Sequence, residues 1–191
     1  MRMRTPSPLP AIARGLTMGC ICLVPVVAHA QTAAHDTEAL VRNALSAAPP
    51  SVAKEATVVD HEHNVLRKGT NGWTCMPDDP AVPNNSPMCL DAAWVDFIGA
   101  LMTKRPPKVT GFGIGYMLQG DMPVSNVDPT ATAATPTNQW LQVGVPHVMV
   151  IVPDVAVLTT LSSDPHNGGP WVMWRGTPYA HVMIPTVPRE R

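Results

Sequence analysis

Charge is scarce in this sequence. Only 14% of its 191 residues are Asp, Glu, Lys or Arg, against roughly 25% in ordinary soluble domains. A chain this apolar is not globally disordered. No block of basic residues occurs and the formal net charge is −1. That excludes a nucleic-acid binder, which needs a Lys/Arg field to displace counterions from phosphate. No run of about 20 apolar residues occurs, so no transmembrane helix is expected. G-x-S-x-G is absent, and Gly111-Phe112-Gly113-Ile114-Gly115 lacks the G-x-G-x-x-G spacing of a nucleotide loop. The length fits one domain of ordinary size.

Acidic residues are also missing from the entire first stretch, up to Asp36. Arg2, Arg4 and Arg14 precede an apolar run, Gly15 to Ala28, which closes on Ala28-His29-Ala30. This order of charged, apolar and small residues predicts a secretory signal peptide over 1–30, cut after Ala30. Removal takes three basic residues and no acidic one. It leaves ten Lys and Arg against fourteen Asp and Glu, a formal −4. Mild acidity helps solubility and selects no partner.

Cysteine is equally sparse. Cys20 and Cys22 leave with the leader, so the mature chain keeps only Cys75 and Cys89. An even pair in an exported chain predicts a disulfide and leaves no thiol for catalysis. The thirteen residues between them, MPDDPAVPNNSPM, cannot form a core of their own. Closing a loop of that size restricts the unfolded chain by about 3 kcal/mol.

Residues 31–191 read as a single α+β domain. Residues 35–47 predict a helix with an apolar stripe of Ala39, Leu40, Ala44 and Leu45, halted by Pro49-Pro50. ATVVD (56–60) and 65–67 predict short strands around a turn, and 69–90 reads as the loop that holds both cysteines. Asp91 to Lys104 is the clearest helix: Asp91 suits an N-cap, and Trp94, Ile98, Leu101 and Met102 recur at helical spacing. In Val109–Leu118 glycines alternate with Phe112, Ile114 and Tyr116, a strand with one bulky and one bare face. Residues 121–139, rich in Pro, Thr and Ala, predict a flexible loop, either a lid or disordered. Strands are expected at 140–143 and 147–152, a short helix after Pro153-Asp154, and a hairpin from 171–174 with 179–184. The fold class is therefore α+β, a mostly antiparallel sheet of about five or six strands packed on one or two helices, with one disulfide.

Candidate chemistry lies in a recurring phrase. Pro146-His147-Val148-Met149 is followed later by Ala180-His181-Val182-Met183. Residues two apart on a strand share a face, so His147 pairs with Met149 and His181 with Met183. Paired strands would bring two imidazoles and two thioethers together, a soft donor set for copper. Trp171 and Trp174 lie close in sequence, giving a ligand-binding candidate of His147, His181, Trp171 and Trp174. The competing reading is core packing, since Met fills cores and His is often buried. Asp60-His61-Glu62-His63 is a second candidate, in which His61 and His63 could hold zinc or copper. In a turn the same residues are simply solvated. Ser162, Ser163, Asp164 and His166 sit too close together in one turn to form a catalytic triad. Asn71-Gly72-Trp73 and Gly169-Pro170-Trp171 put Trp beside flexible turns, as a binding surface or as caps on the core.

Five segments, Leu66–Asp78, Pro87–Asp91, Tyr116–Gly120, Pro146–Met149 and Gly169–Met183, resemble a group of uncharacterised exported bacterial proteins. The resemblance covers most of the mature chain and implies a single exported domain. It carries over no catalytic or binding residue. The expectation is a periplasmic or secreted binding or accessory domain, taking a small ligand or a soft metal ion at a His/Met/Trp surface. No nucleic acid is expected, and no membrane after signal cleavage. One alternative is a periplasmic hydrolase using His61, His63, His147 or His181 as acid–base groups near Asp60 or Asp154. Another is a structural or interaction protein without a small ligand.

Overall fold

The computed structural model describes residues 27–142 and 144–187. Residues 1–26 of the expected leader lie outside the described residues, and its last four open the first helix, α1 (Val27–Leu45). Cleavage after Ala30 would leave 31–45 of that helix. Pro49-Pro50 blocks its continuation, and Pro50 starts a single turn, α2 (Pro50–Ala53). Then follow β1 (Thr57–Val59), β2 (Val65–Arg67), β3 (Thr74–Met76), β4 (Met88–Leu90), α3 (Ala92–Met102), β5 (Gly113–Met117), β6 (Val124–Ser125), β7 (Trp140–Leu141), β8 (His147–Ile151), a 3-10 helix (Val155–Thr160), β9 (Trp171–Met173) and β10 (His181–Pro185).

Eight strands form one sheet in the order β2-β1-β3-β4-β5-β8-β10-β9, and β6 pairs with β7 separately. Every neighbouring pair is antiparallel except β1 with β3. The α+β class and the mostly antiparallel sheet agree with the sequence; five or six strands was too few. β3 and β4 lie in the stretch read as a loop. Each is only three residues long, and their pairing with each other and with β1 and β5 fixes them. Cys75 and Cys89 stand directly opposite in that pairing and are disulfide-bonded.

One face of the sheet carries α3. Its N-cap is Asp91, whose carboxylate accepts from Trp94 N at 2.9 Å and from Ile114 N at 2.6 Å, fastening the helix to β5. The bare face of β5 is the one α3 packs against. A methyl on Gly113 would come within 3.0 Å of Ala93 Cβ, and one on Gly115 within 3.6 Å of Trp94 Cδ1. Trp94 and Phe97 fill this space with Leu90, Met117, Met149, Ile151, Met173 and Met183.

Two smaller clusters cover the other face. At one end α1 lays Val41, Ala44 and Leu45 near the disulfide, and the turn after it adds Ala47 and Ala48, with Tyr116 and Trp73 beside them. The stripe is thus shifted from the one expected: Leu40 and Ala39 are exposed. At the other end the 3-10 helix brings Leu158 onto Val152, Val172 and Val182. Asp154 caps this helix by accepting from Ala156 N. The 121–139 stretch is an irregular connection that contains β6. Ser125 Oγ donates to Asn138 O across its base at 2.6 Å and accepts from the N–H groups of Val127 and Asp128.

Candidate functional site

The two His-Val-Met phrases form neighbouring antiparallel strands. Met183 lies opposite Met149, and Pro185 opposite His147; His181 lies opposite Met173 of β9. All four expected donors share one face, and that face is the one beneath α3. His147, His181, Met149 and Met183 are all buried. Register opposes the two thioethers but sets the two imidazoles four residues apart along the ladder. The expected His/Met surface is therefore a stripe of the interior.

Each imidazole repeats the same local bond. His147 Nδ1 lies 2.7 Å from Val145 O, and His181 Nδ1 lies 3.0 Å from Tyr179 O, the carbonyl two residues back in both cases. A carbonyl only accepts, so Nδ1 carries the proton in each ring. The rings then diverge in environment. His181 sits edge-on among Trp174, Trp94 and Phe97, with centroids 4.9, 5.2 and 6.1 Å away. Burial pushes its pKa down to about 4, with the charge of His147 acting in the same direction and the Tyr179 carbonyl opposing. At neutral pH His181 is an uncharged packing residue.

His147 faces a carboxylate that sequence reasoning missed. Its Nε2 is 3.9 Å from Asp121 Oδ2 and, among the described residues, has no hydrogen-bond partner. Burial raises the Asp121 pKa, while His147 and the Met122 N–H pull it down. The two groups are close neighbours without a hydrogen bond between them, and their surroundings leave little room for a substrate. The side chains are 1% and 12% exposed, and the Gly144 backbone presses on Asp121 through an isolated bridge. No local signal marked Asp121, because Gly120-Asp121 reads as an ordinary turn.

Trp171 and Trp174 are buried and point their indoles at the 121–139 connection. Trp171 Nε1 donates to Asn126 Oδ1 at 3.0 Å, and Trp174 Nε1 to Ser125 O at 2.8 Å. Asn126, another residue the sequence did not single out, is the hub of this region. Its amide nitrogen donates to Gln139 Oε1 at 2.8 Å and to Ser163 O at 3.0 Å. Its backbone bonds Gln139 O and Trp174 N. The two walls that Asn126 joins border an open cleft of about 440 Å³, lined by Gln139, Trp140, Leu141, Ser163, Asp164, Pro165 and His166. Leu141 and Pro165 are buried, whereas Gln139, Asp164 and His166 are exposed.

His61 and His63 lie in the exposed turn between β1 and β2, at the opposite edge of the sheet from β10. Asp60 organises that turn, accepting from Glu62 N, Asn64 N and Asn64 Nδ2. The Asn64 amide is the chief reason its pKa is lowered. His61 Nε2 lies 3.1 Å from Asp78 O. Neither Asp60 nor Asp154 is brought to His147 or His181: both carboxylates are engaged by their own turns. Among the described residues, no group of three or more His, Cys, Asp or Glu is arranged to hold a metal ion. No helix among them is long and apolar enough to cross a membrane.

Comparison with known proteins finds no family model, no curated protein and no solved structure that matches this chain.

Proposed function

We propose that the protein is an exported binding domain that takes a small organic ligand in the cleft between β7 and the turn at 162–170. The observation that carries this reading is the Asn126 clamp. One buried side chain ties Gln139 on one wall to Ser163 on the other, and Trp171 holds that side chain from behind. Walls locked in this way lose little entropy when a ligand enters. The cleft, about 440 Å³, falls within the range of about 300–1,000 Å³ usual for small-molecule sites. Its lining joins an apolar floor to a carboxylate, an imidazole and an amide, which suits a small molecule with an apolar body and a polar end. Trp171 and Trp174 support the site instead of touching the ligand. Export is supported by the leader pattern and by the Cys75–Cys89 bond, which fits an oxidising compartment.

The test is NMR titration with small aromatic fragments bearing an amine or a carboxylate. Saturable shifts are expected at the Trp140 indole and the His166 ring, and loss of the His166 shift in Trp140→Ala. Fragments that bind but move neither signal would overturn the assignment. Cu(I) or Zn(II) binding at near-stoichiometric level, abolished by His147→Ala, would return the site to the buried His/Met stripe.

A further inference from the structure

The cleft between β7 and the turn at 162–170 carries formal charge on one wall only. Its lining holds one carboxylate, Asp164, and neither lysine nor arginine. Arg175 donates to Leu161 O just before the turn and is not part of the lining. Asp164 is half committed. Its Oδ1 accepts from His166 N at 2.8 Å, which closes the turn. Among the described residues its Oδ2 accepts no hydrogen bond, and Asp164 joins no ion pair. The side chain is exposed, so one carboxylate oxygen is open to a ligand.

The facing wall is built against the backbone's own preference. Gln139, which leads into β7, has φ 47, a left-handed conformation that residues with a Cβ adopt at a cost. Asn126 holds it there by backbone and side chain together. Its N–H donates to Gln139 O at 3.1 Å, and its amide nitrogen donates to Gln139 Oε1 at 2.8 Å. The next two residues, Trp140 and Leu141, then line the cleft. Trp140 is half-buried and joins no aromatic pair among the described residues. An indole in that state offers a plane that is apolar and also attracts cations.

We propose that the ligand of this cleft is a protonated organic amine, an inference that rests on the cleft being the binding site. The ammonium group would donate to Asp164 Oδ2, and Trp140, Leu141 and Pro165 would take the apolar body. A hydrogen bond between two ionised groups is stronger than one between neutral groups, and the indole plane favours the same sign of charge. An anionic ligand would meet Asp164 with no lysine or arginine in the lining to offset it. A neutral ligand would leave the open carboxylate oxygen unused. Among the described residues no third carboxylate, thiol or imidazole gathers with Asp164 and His166, so a bare metal ion lacks ligands there.

The experiment uses three probes that share one body and differ at one end: phenethylammonium, 2-phenylethanol and 3-phenylpropanoate. Each is titrated into the purified protein at about pH 8, above the ordinary histidine range. Affinity is read from the Trp140 indole and His166 ring signals. The ammonium should bind about fivefold more tightly than the alcohol, the size expected of an exposed charge pair. The carboxylate should bind more weakly than either. Asp164→Asn retains an oxygen for His166 N, and so retains the turn, but should bring the ammonium-to-alcohol ratio close to one. A second readout needs no variant: the wild-type ratio should shrink as salt is raised to about 1 M. Equal affinity for the three probes overturns the inference and leaves the cleft standing. So does tightest binding by the carboxylate, or an ammonium preference that survives both Asp164→Asn and high salt. Probes that move neither Trp140 nor His166 remove the cleft as the binding site, and the inference goes with it.

Discussion

His147 and His181 share a phrase, a strand face and a backbone bond, yet neighbouring side chains give them different properties. His181 is surrounded by aromatic edges, and burial holds it neutral, with its pKa pushed from 6.5 to about 4. The unfolded chain therefore binds a proton that the folded chain refuses between those values. Stability from this residue is complete above about pH 6.5, falls as pH drops through the window, and levels off below 4. A shift of that size corresponds to about 3 kcal/mol. Asp121 works in the opposite sense: its pKa is raised by burial, so it favours the fold when protonated and opposes it as pH rises. A difference measurement separates the two. Urea unfolding of the wild type and of His181→Phe at several pH values should show the wild type losing that extra stability between pH 6.5 and 4. The variant should lack this component. At pH 7.5 it should be weaker by about 1–2 kcal/mol, because Tyr179 O loses its donor. Parallel pH curves for the two proteins would show that His181 is not a buried neutral group.

At the scale of elements, β5 explains how a helix is seated on this sheet. Gly113 and Gly115 leave the room that Ala93 and Trp94 of α3 occupy, but they are not equivalent. A methyl at Gly113 would meet Ile151 Cγ1 at 2.6 Å and Ala93 Cβ at 3.0 Å, groups with little freedom to retreat. At Gly115 it would meet Met149 Cε at 2.8 Å and Leu90 Cδ2 at 2.9 Å, both at side-chain ends. Gly113→Ala should cost about 1–3 kcal/mol through overpacking. In Gly115→Ala the clash is largely offset by a stiffer unfolded chain, worth about 0.4–1 kcal/mol. Denaturant midpoints should rank Gly113→Ala well below Gly115→Ala, and the reverse order would show that α3 is seated differently. The same strand shows what was legible beforehand. Alternation named its bare face, and the apolar period and Asp91 named α3, because both signals are local. Alternation could not say which face α3 would cover, so His147 and His181 read as a surface. β3 and β4 were missed because three residues beside Pro and Asn carry almost no period of their own. Asp121 and Asn126 escaped for the same reason: their burial arises from partners at Gly144, Gln139, Ser163 and Trp171, far along the chain.

Across the whole molecule, one covalent bond links the two halves of the sheet. β1, β2 and β3 stand on one side of the Cys75–Cys89 pairing, and β5, β8, β10 and β9 continue from β4 on the other. On the β1–β3 side the fully buried residues are small, Ala44, Ala47, Ala53, Ala56 and Val58 gathered around the two cysteines, and the larger Leu45, Leu66, Trp73 and Tyr116 are only partly buried against them. A core of alanines buries little area per residue, and each Å² of apolar surface contributes only about 25 cal/mol. The disulfide supplies there what side-chain volume does not. Its loss removes about 3 kcal/mol of unfolded-state restriction, a large share of the roughly 5–15 kcal/mol that stabilises a typical domain. Cys75→Ala/Cys89→Ala, or the wild type under reducing conditions, should therefore unfold at a lower guanidinium concentration, by about 2–5 kcal/mol. The loss should be felt first in α1 and β1–β3, read as faster amide exchange there than in β5, β8 and β10. Equal midpoints with and without reductant would mean that the alanine cluster holds this half unaided. The fold would then stand equally well in a reducing compartment, and the disulfide would cease to support export.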